Sequence, residues 1–254
     1  MLQKINRITE TLVEGLASLP NIEAIQKIPY RTYKNEASPL DCLKVDVFSQ
    51  GSVPDAAARV QGLPHLEFLE TSPGKNKDRF FLDGMAVHIE YKRVEDIEEL
   101  LARLHTSPYR LTEDSTYGLF RLRHGIPVMK KTEWIEHQKK LLENLPEPFW
   151  QAARQNLKSR MEHQVADLGS ALYNQDSFHF QTSLAHYLET ISELLFVANE
   201  EFLCPPEQIR VSLEELKILP SGFEGLFDTL IRADVDQERK LSVARRLAEL
   251  LLAF

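Results

Sequence analysis

The chain has 254 residues, enough for one large domain or two of medium size, each with its own core. Hydrophobic residues make up 43% of it, charged residues 27%, and only 10 residues are glycine, which excludes a disordered or low-complexity chain. The formal net charge of -8 repels a phosphate backbone, so nucleic acid is not the expected partner without a local basic patch.

Cysteine usage and hydropathy limit the class of protein further. Cys42 and Cys204 lie far apart, and neither has a cysteine or histidine neighbour at the spacing of a zinc site. The opening segment MLQKINRITETLVEGLASL is amphipathic, unlike a signal peptide, and no apolar run is long enough to span a bilayer. We therefore expect a reduced, cytoplasmic protein with no membrane partner.

The first half of the chain mixes helical and strand periodicities. In chain order, the patterns predict a helix ending at Pro20, strands over 22–28 and 42–48, a helix from Pro54, strands over 65–70, 78–82 and 85–93, and a helix from Val94. Asp83-Gly84 joins the last two strands and is a strong hairpin signal. This order of elements is typical of an α/β or α+β domain with a mixed sheet.

After residue 107 the strand signals stop. Helical periodicity covers 134–145, 148–173, 177–202, 213–216, 223–231 and 237–252, and prolines separate these segments. We therefore expect a mixed-sheet domain over residues 1–106 and an all-helical domain over 107–254. A cleft between two such domains is the expected place for a small ligand.

The segment IEAIQKIPYRTYKNEASPLDCLKVDVF (22–48) resembles the metal-binding unit of the nucleotidyltransferase fold. In that family a strand ends in Gly-Ser, a short helix follows, the next strand begins Ser-Asp-x-Asp, and a later strand supplies a third acid. In this chain Tyr30 and Arg31 replace the Gly-Ser, Asp41 replaces the serine, Cys42 and Lys44 replace the two aspartates, and His88 stands at the third-acid position. The motif is therefore degenerate.

The second half resembles the helical region of bacterial nucleotidyltransferase-like proteins, in the group of aminoglycoside and lincosamide resistance enzymes. The segments that carry this resemblance are FRLRHGIPV (120–128), LLFVANEEF (194–202) and LEELKILPSGFEGLFDTLI (213–231). The resemblance implies a nucleotidyltransferase-like mixed-sheet domain followed by a helical bundle. For an active member it also implies a nucleoside triphosphate and Mg²⁺.

The replaced motif residues have direct chemical consequences. Mg²⁺ requires hard oxygen ligands, whereas the Cys42 thiol is a soft ligand and the Lys44 ammonium repels a cation. Tyr30 and Arg31 do not allow the close backbone approach to phosphate that glycine gives, although Arg31 can pair with a phosphate as a charged fork. No metal site is therefore expected at the motif positions themselves.

Other acids on the same strands leave two interpretations open. Asp46 shares a strand face with Lys44, and Glu90 shares one with His88, because side chains two apart point the same way. Asp46, Glu90 and His88 are therefore candidates for a displaced catalytic and metal-binding site. The alternative is that Lys44–Asp46 and His88–Glu90 are polar pairs on a solvated sheet face.

Charged residues of the second half are expected to have structural roles. The segment RLRHG (121–125) places cations at a predicted helix end, where they interact favourably with the helix dipole. We expect this structural role rather than the binding of a phosphate. Glu189 and Glu193 are spaced like an exposed helical pair.

Three residues are candidates for the ligand cleft: Arg31, Asp176 and His179. Asp176 and His179 are helical neighbours at i and i+3, and His186 follows on the same helix face. The alternative is that Asp176 caps the helix and the histidines lie on the surface.

Three functions remain open at this point. The favoured hypothesis is a degenerate nucleotidyltransferase-fold module that binds a small molecule or nucleotide, or regulates another protein. The second is an active nucleotidyltransferase that modifies a small hydroxylated acceptor, with Asp46 and Glu90 as metal ligands. The third is an antitoxin-like interaction partner, for which a protein partner or a homodimer is expected.

Overall fold

The computed structural model describes residues 2–29, 42–63, 66–72, 76–106 and 115–254. The chain divides into two compact units, one of Met1–Thr106 with Gly118–Leu145 and one of Ser107–Tyr117 with Pro146–Phe254. Among the described residues, no helix has the length and apolar character needed to cross a membrane.

The first unit contains a sheet of six described strands. Its elements in chain order are α1 (Leu2–Ala17), β1 (Ile22–Lys27), β2 (Cys42–Ser49), α2 (Ala56–Gln61), β3 (Glu67–Ser72), β4 (Lys77–Leu82), β5 (Met85–Arg93), α3 (Val94–Thr106), α4 (Tyr117–His124, beginning at the unit boundary), β6 (Ile126–Lys130) and α5 (Trp134–Glu143). The strand order is β3-β4-β5-β2-β1-β6. β2 and β5 are parallel, and the other neighbouring pairs are antiparallel, so the sheet is mixed.

One face of this sheet packs against α1 to form the hydrophobic core. Leu12 and Leu16 recur at helical spacing on α1 and are buried against alternate residues of the strands, such as Val45 and Val47 of β2. Each fully buried side chain of this size contributes about 1.5–3 kcal/mol to stability. The alternation fixes the register of β2, because a shift by one residue would turn its polar side chains into this core.

The opposite face carries the polar residues of β2 and β5, and it is also covered. Phe48 of β2 lies 5.3 Å from the Trp134 ring of α5, measured between ring centroids. Coverage of both faces buries five of the six residues of β1. Both β1 and β2 are thus mostly buried, because they lie inside the sheet and both of its faces are covered there.

The expectation that no strand follows residue 107 is also wrong. β6 pairs antiparallel with β1, with Ala24 opposite Lys130 and Lys27 opposite Ile126. β6 has five residues and contains Pro127, which is tolerated because β6 lies at the sheet edge. A strand this short, interrupted by proline, gives no period-two signal. The predicted domains of 1–106 and 107–254 therefore differ from the structure, in which 118–145 returns to the first unit.

The second unit is helical in its described residues. It contains α6 (Glu147–Tyr173), α7 (Ser177–Ala198), a 3-10 turn (Pro206–Gln208), α8 (Ile209–Glu214), α9 (Phe223–Ile231) and α10 (Gln237–Leu252). Local chemistry explains the starts of α7 and α10: the Asp176 carboxylate accepts from the His179 N–H at 2.9 Å, and that of Asp236 from the Arg239 N–H at 2.7 Å. The predicted class, a mixed α+β sheet region followed by a helical C-terminal part, is confirmed.

Glu193 of α7 is buried, so its prediction as an exposed residue is wrong. Its side chain is 2% exposed, and its carboxylate accepts a hydrogen bond from the Thr116 N–H. The Thr116 hydroxyl in turn accepts from the Leu203 N–H at 2.9 Å, so the chain ahead of α4 is held inside the second unit. Burial raises the pKa of Glu193, and the hydrogen bonds from Thr116 only partly oppose this effect.

We expect Glu193→Gln to change how stability depends on pH. Because the folded-state pKa of Glu193 is raised above its unfolded value, the folded protein binds this proton more tightly. Wild-type stability should therefore fall, relative to the variant, as pH rises from the unfolded pKa through the folded one. Glutamine keeps an acceptor for Thr116 and does not titrate. Urea unfolding from about pH 4 to about pH 8 measures the difference.

The matched control is Glu162→Gln, an exposed position on α6. Its free energy of unfolding should run parallel to that of the wild type over the same pH range. A parallel curve for Glu193→Gln as well would contradict the assignment of a tightly held proton to Glu193.

Candidate functional site

The candidate site lies on the polar face of the sheet, where β2 and β5 run side by side. Their parallel register places Lys44 beside His88 and Asp46 beside Glu90. Side chains two residues apart share a face, so these four groups form two adjacent rows. The polar pairs expected from sequence were Lys44–Asp46 and His88–Glu90. The structure corrects this: the neighbours across the strands are Lys44–His88 and Asp46–Glu90.

Asp46 is a completely buried carboxylate, and several neighbouring side chains donate hydrogen bonds to it or pair with it. The Arg121 guanidinium donates through Nη2 to Oδ1 and through Nε to Oδ2, the latter at 3.3 Å. Lys92 Nζ lies 3.0 Å from Oδ2, and Gln26 Nε2 donates to the same oxygen at 3.3 Å. The interpretation of this face as solvated is therefore wrong for Asp46.

Glu90 converges on the same cations. Its Oε1 accepts from Arg121 Nη1 at 3.0 Å and lies 3.0 Å from Lys77 Nζ. Its Oε2 lies 3.8 Å from Lys92 Nζ, and the Glu90 side chain is 23% exposed. The two carboxylates are thus brought together, as a displaced site requires, but Arg121 and Lys92 lie between them.

α4 and the turn after it position Arg121. Its side chain is 4% exposed, and its backbone carbonyl accepts from Gln26 Nε2 at 2.9 Å. Gly125 directly follows this helix, and a Cβ at Gly125 would lie 2.2 Å from the Gln26 side chain. Glycine is therefore required for this close approach. The prediction of a helix end with cations is confirmed, since Arg121, Arg123 and His124 lie in the last turn of α4, but the Arg121 side chain pairs with Asp46.

Sequence reasoning missed Arg121 as a partner of Asp46, although one signal was available. Arg121 is flanked by Phe120 and Leu122, which are both buried. An arginine inside an apolar stretch needs a buried partner, because an unpaired buried charge is costly. The sequence does not tell which acid that partner is, since 75 positions separate it from Asp46.

The electrostatics of Asp46 follow from these contacts. Burial acts to raise the pKa of Asp46, but the charges and hydrogen bonds of Lys92 and Arg121 outweigh it and lower the pKa below its ordinary value. Asp46 is therefore ionised at neutral pH. Its charge is already balanced within the protein.

His88 lies among positive charges. Burial lowers the pKa of His88, and the charges of Arg79, Lys44 and Arg121 lower it further. At neutral pH the imidazole is therefore uncharged. It can donate one hydrogen bond and accept another.

The structure does not test the other residues predicted for the site. Tyr30, Arg31 and Asp41 lie outside the described residues. Asp176 caps α7, and His179 is exposed on that helix. The assignment of Arg31, Asp176 and His179 to a ligand site remains a prediction. Within the described ranges, no cluster of three or more histidine, cysteine, aspartate or glutamate side chains is arranged to hold a metal ion.

Comparison with solved structures finds similarity to proteins of known structure. No family model matches the chain, and no curated protein matches it. The chain is similar to a nucleotidyltransferase-like protein from Exiguobacterium sibiricum, with 14% sequence identity, 97% of this chain and 74% of that chain covered, and a TM-score of 0.47. Function must therefore be inferred from the geometry of the chain's own residues.

A double-mutant cycle measures the coupling between Asp46 and Arg121. Asp46→Asn leaves buried cations without their carboxylate, and Arg121→Met leaves a buried carboxylate without its guanidinium. Each substitution should therefore lower the free energy of unfolding by about 3–5 kcal/mol. The combined variant should cost less than the sum of the two by more than about 1 kcal/mol, because it removes both charges together. Urea unfolding provides all four free energies.

Arg103 and Glu99, an ion pair at 3.7 Å with both side chains more than half exposed, provide the control cycle. Their coupling should be close to zero, because solvent screens exposed pairs. Equal coupling in the two cycles would show that Asp46 and Arg121 do not depend on each other inside the protein.

Proposed function

We propose that this protein is a nucleotidyltransferase-fold chain with a degenerate active site, which binds a nucleotide or another small molecule without transferring a nucleotidyl group. The observation that carries the proposal is the internal neutralisation of Asp46. Arg121 and Lys92 occupy the carboxylate oxygens that a catalytic metal ion would need.

The motif positions support the same conclusion. β2 and β5 are adjacent, and Lys44 lies beside His88 in their register. By the resemblance, two acids that bind metal would stand at these two positions. An ammonium group and an uncharged imidazole stand there instead, and neither suits Mg²⁺.

Arg121 also opposes a displaced metal site made from Asp46 and Glu90. Mg²⁺ would have to displace Arg121 and Lys92 from a carboxylate that is 0% exposed. Removing one partner from such a buried pair costs several kcal/mol. Mg²⁺ also retains several of its waters when it binds a protein, and these need room beside the carboxylate.

One observation favours a second candidate function, that of an active nucleotidyltransferase. Asp46 and Glu90 lie side by side in register and share Arg121 as a partner. If Arg121 left this position, the two carboxylates would be free to share a metal ion. The nucleotide and the acceptor would then be the substrates expected from the resemblance.

We expect the protein to release no pyrophosphate from ATP and Mg²⁺, and titration with Mg²⁺ alone to give little heat. Arg121→Met should gain heat of Mg²⁺ binding, because it exposes Asp46 and Glu90 to the ion. The matched control, Arg103→Met, should behave like the wild type. Pyrophosphate assays and calorimetry measure both quantities.

The active alternative makes the opposite prediction. Wild-type protein would release pyrophosphate, Asp46→Asn would abolish the release, and Glu99→Gln would leave it unchanged. That result would overturn the proposal of a degenerate site.

A further inference from the structure

A pocket of about 130 Å³ lies within the second unit, between α8, α9 and the segment that joins them. Its apolar lining consists of Leu213, Leu219, Phe223 and Phe227. Leu213 and Phe223 are buried and form its floor, whereas Leu219 and Phe227 are half-buried. An apolar cavity of about 150 Å³ is large enough to hold a benzene ring. This pocket therefore has the size and the lining for one small ring.

Contacts within the second unit hold the walls of this pocket in place. Phe223 and Phe227 lie one helical turn apart on α9, and their ring centroids are 5.4 Å apart. Asn199, which follows α7, fixes the segment before α9. Its side-chain amide donates to the Ile218 carbonyl, and its side-chain oxygen accepts from the Ile218 N–H, both at 2.8 Å. These hydrogen bonds position the backbone next to Leu219. The pocket is thus preformed, which lowers the entropic cost of binding a ligand.

Charged side chains surround the mouth of the pocket. They are Arg210 and Glu214 of α8 with Glu224 and Asp228 of α9, and all four are exposed. Arg210 Nη2 lies 3.5 Å from Asp228 Oδ1. Three carboxylates and one guanidinium leave an excess of negative charge at the mouth. The pocket therefore favours a cation over an anion.

We propose that this pocket binds a small aralkylamine, an aromatic ring that carries an alkylammonium group. The ring occupies the apolar lining, and the ammonium group lies at the Glu214 and Glu224 carboxylates. An aromatic carboxylate of the same size would meet the same lining but would be repelled at the mouth. This inference goes beyond the proposed function and does not depend on it, because the pocket lies in the second unit, whereas Asp46 and Arg121 lie in the first.

Three ligands with the same ring and different charges test the proposal on the wild-type protein. At neutral pH benzylamine is a cation, benzyl alcohol is neutral and benzoate is an anion. Benzylamine should bind at millimolar concentration, about tenfold more tightly than benzyl alcohol, and benzoate should bind most weakly. High salt should reduce the preference for benzylamine, because the carboxylates are exposed. NMR titration measures these affinities. Absence of benzylamine binding, or equal affinity for benzylamine and benzoate, would overturn the proposal.

The combined variant Glu214→Gln with Glu224→Gln tests the charges at the mouth. It should weaken benzylamine binding about tenfold and leave benzyl alcohol binding unchanged, since two exposed charge contacts are lost. The matched control is Glu238→Gln, because Glu238 is exposed in the first turn of α10, as Glu224 is in that of α9. It should bind both ligands like the wild type. Wild-type affinity of the combined variant for benzylamine would contradict the role of these carboxylates.

Phe227→Ala tests the place of the ring. It should weaken the binding of benzylamine and of benzyl alcohol alike, about fivefold, because it removes part of the apolar lining. The matched control is Phe178→Ala, which removes an exposed ring of α7 that does not line the pocket. If Phe227→Ala bound both ligands as the wild type does, they would occupy another site and the proposal would be wrong. The comparison of the three ligands needs no variant, so it decides the matter even if a variant fails to fold.

Discussion

The need to keep the buried Asp46 carboxylate paired constrains the rest of the first unit. A buried charge without a partner costs several kcal/mol, which is a large part of a domain's net stability. The partner, Arg121, lies on α4, which follows a crossing into the second unit. The chain must therefore return to the sheet after residue 117. β6 and Gly125 fix that return, since β6 pairs with β1 and Gly125 allows the close contact with Gln26.

This constraint also decides what the polar face can do. A carboxylate whose oxygens accept from a guanidinium and an ammonium has little capacity left to bind a further cation. Asp46 therefore stabilises the fold through Arg121 and Lys92. These ion pairs therefore oppose the binding of a metal ion at Asp46.

Local patterns explain which elements could be predicted from sequence. The helices expected over 223–231 and 237–252 coincide with α9 and α10, because periodicity and caps such as Asp236 are encoded by neighbouring residues. The proximity of Asp46 and Glu90 could be predicted, since each lies on a strand with a recognisable pattern. The partner of Asp46 was not, because helical periodicity says nothing about which distant strand a buried arginine meets. Glu193 was misjudged for a similar reason: its burial depends on Thr116, 77 residues away.

Pairing Asp46 with an arginine decides how this part of the sheet face responds to pH. A guanidinium stays charged at any physiological pH, and the lowered pKa of Asp46 keeps its partner ionised as well, so both members of this pair are charged at neutral pH. His88 differs, because its protonation depends on the charges around it. Burial and the charges of Arg79, Lys44 and Arg121 all lower the pKa of His88, so a change in the charge beside this imidazole would shift its protonation. The same change would leave the Asp46–Arg121 pair ionised, because the guanidinium does not titrate and the pKa of Asp46 is lowered.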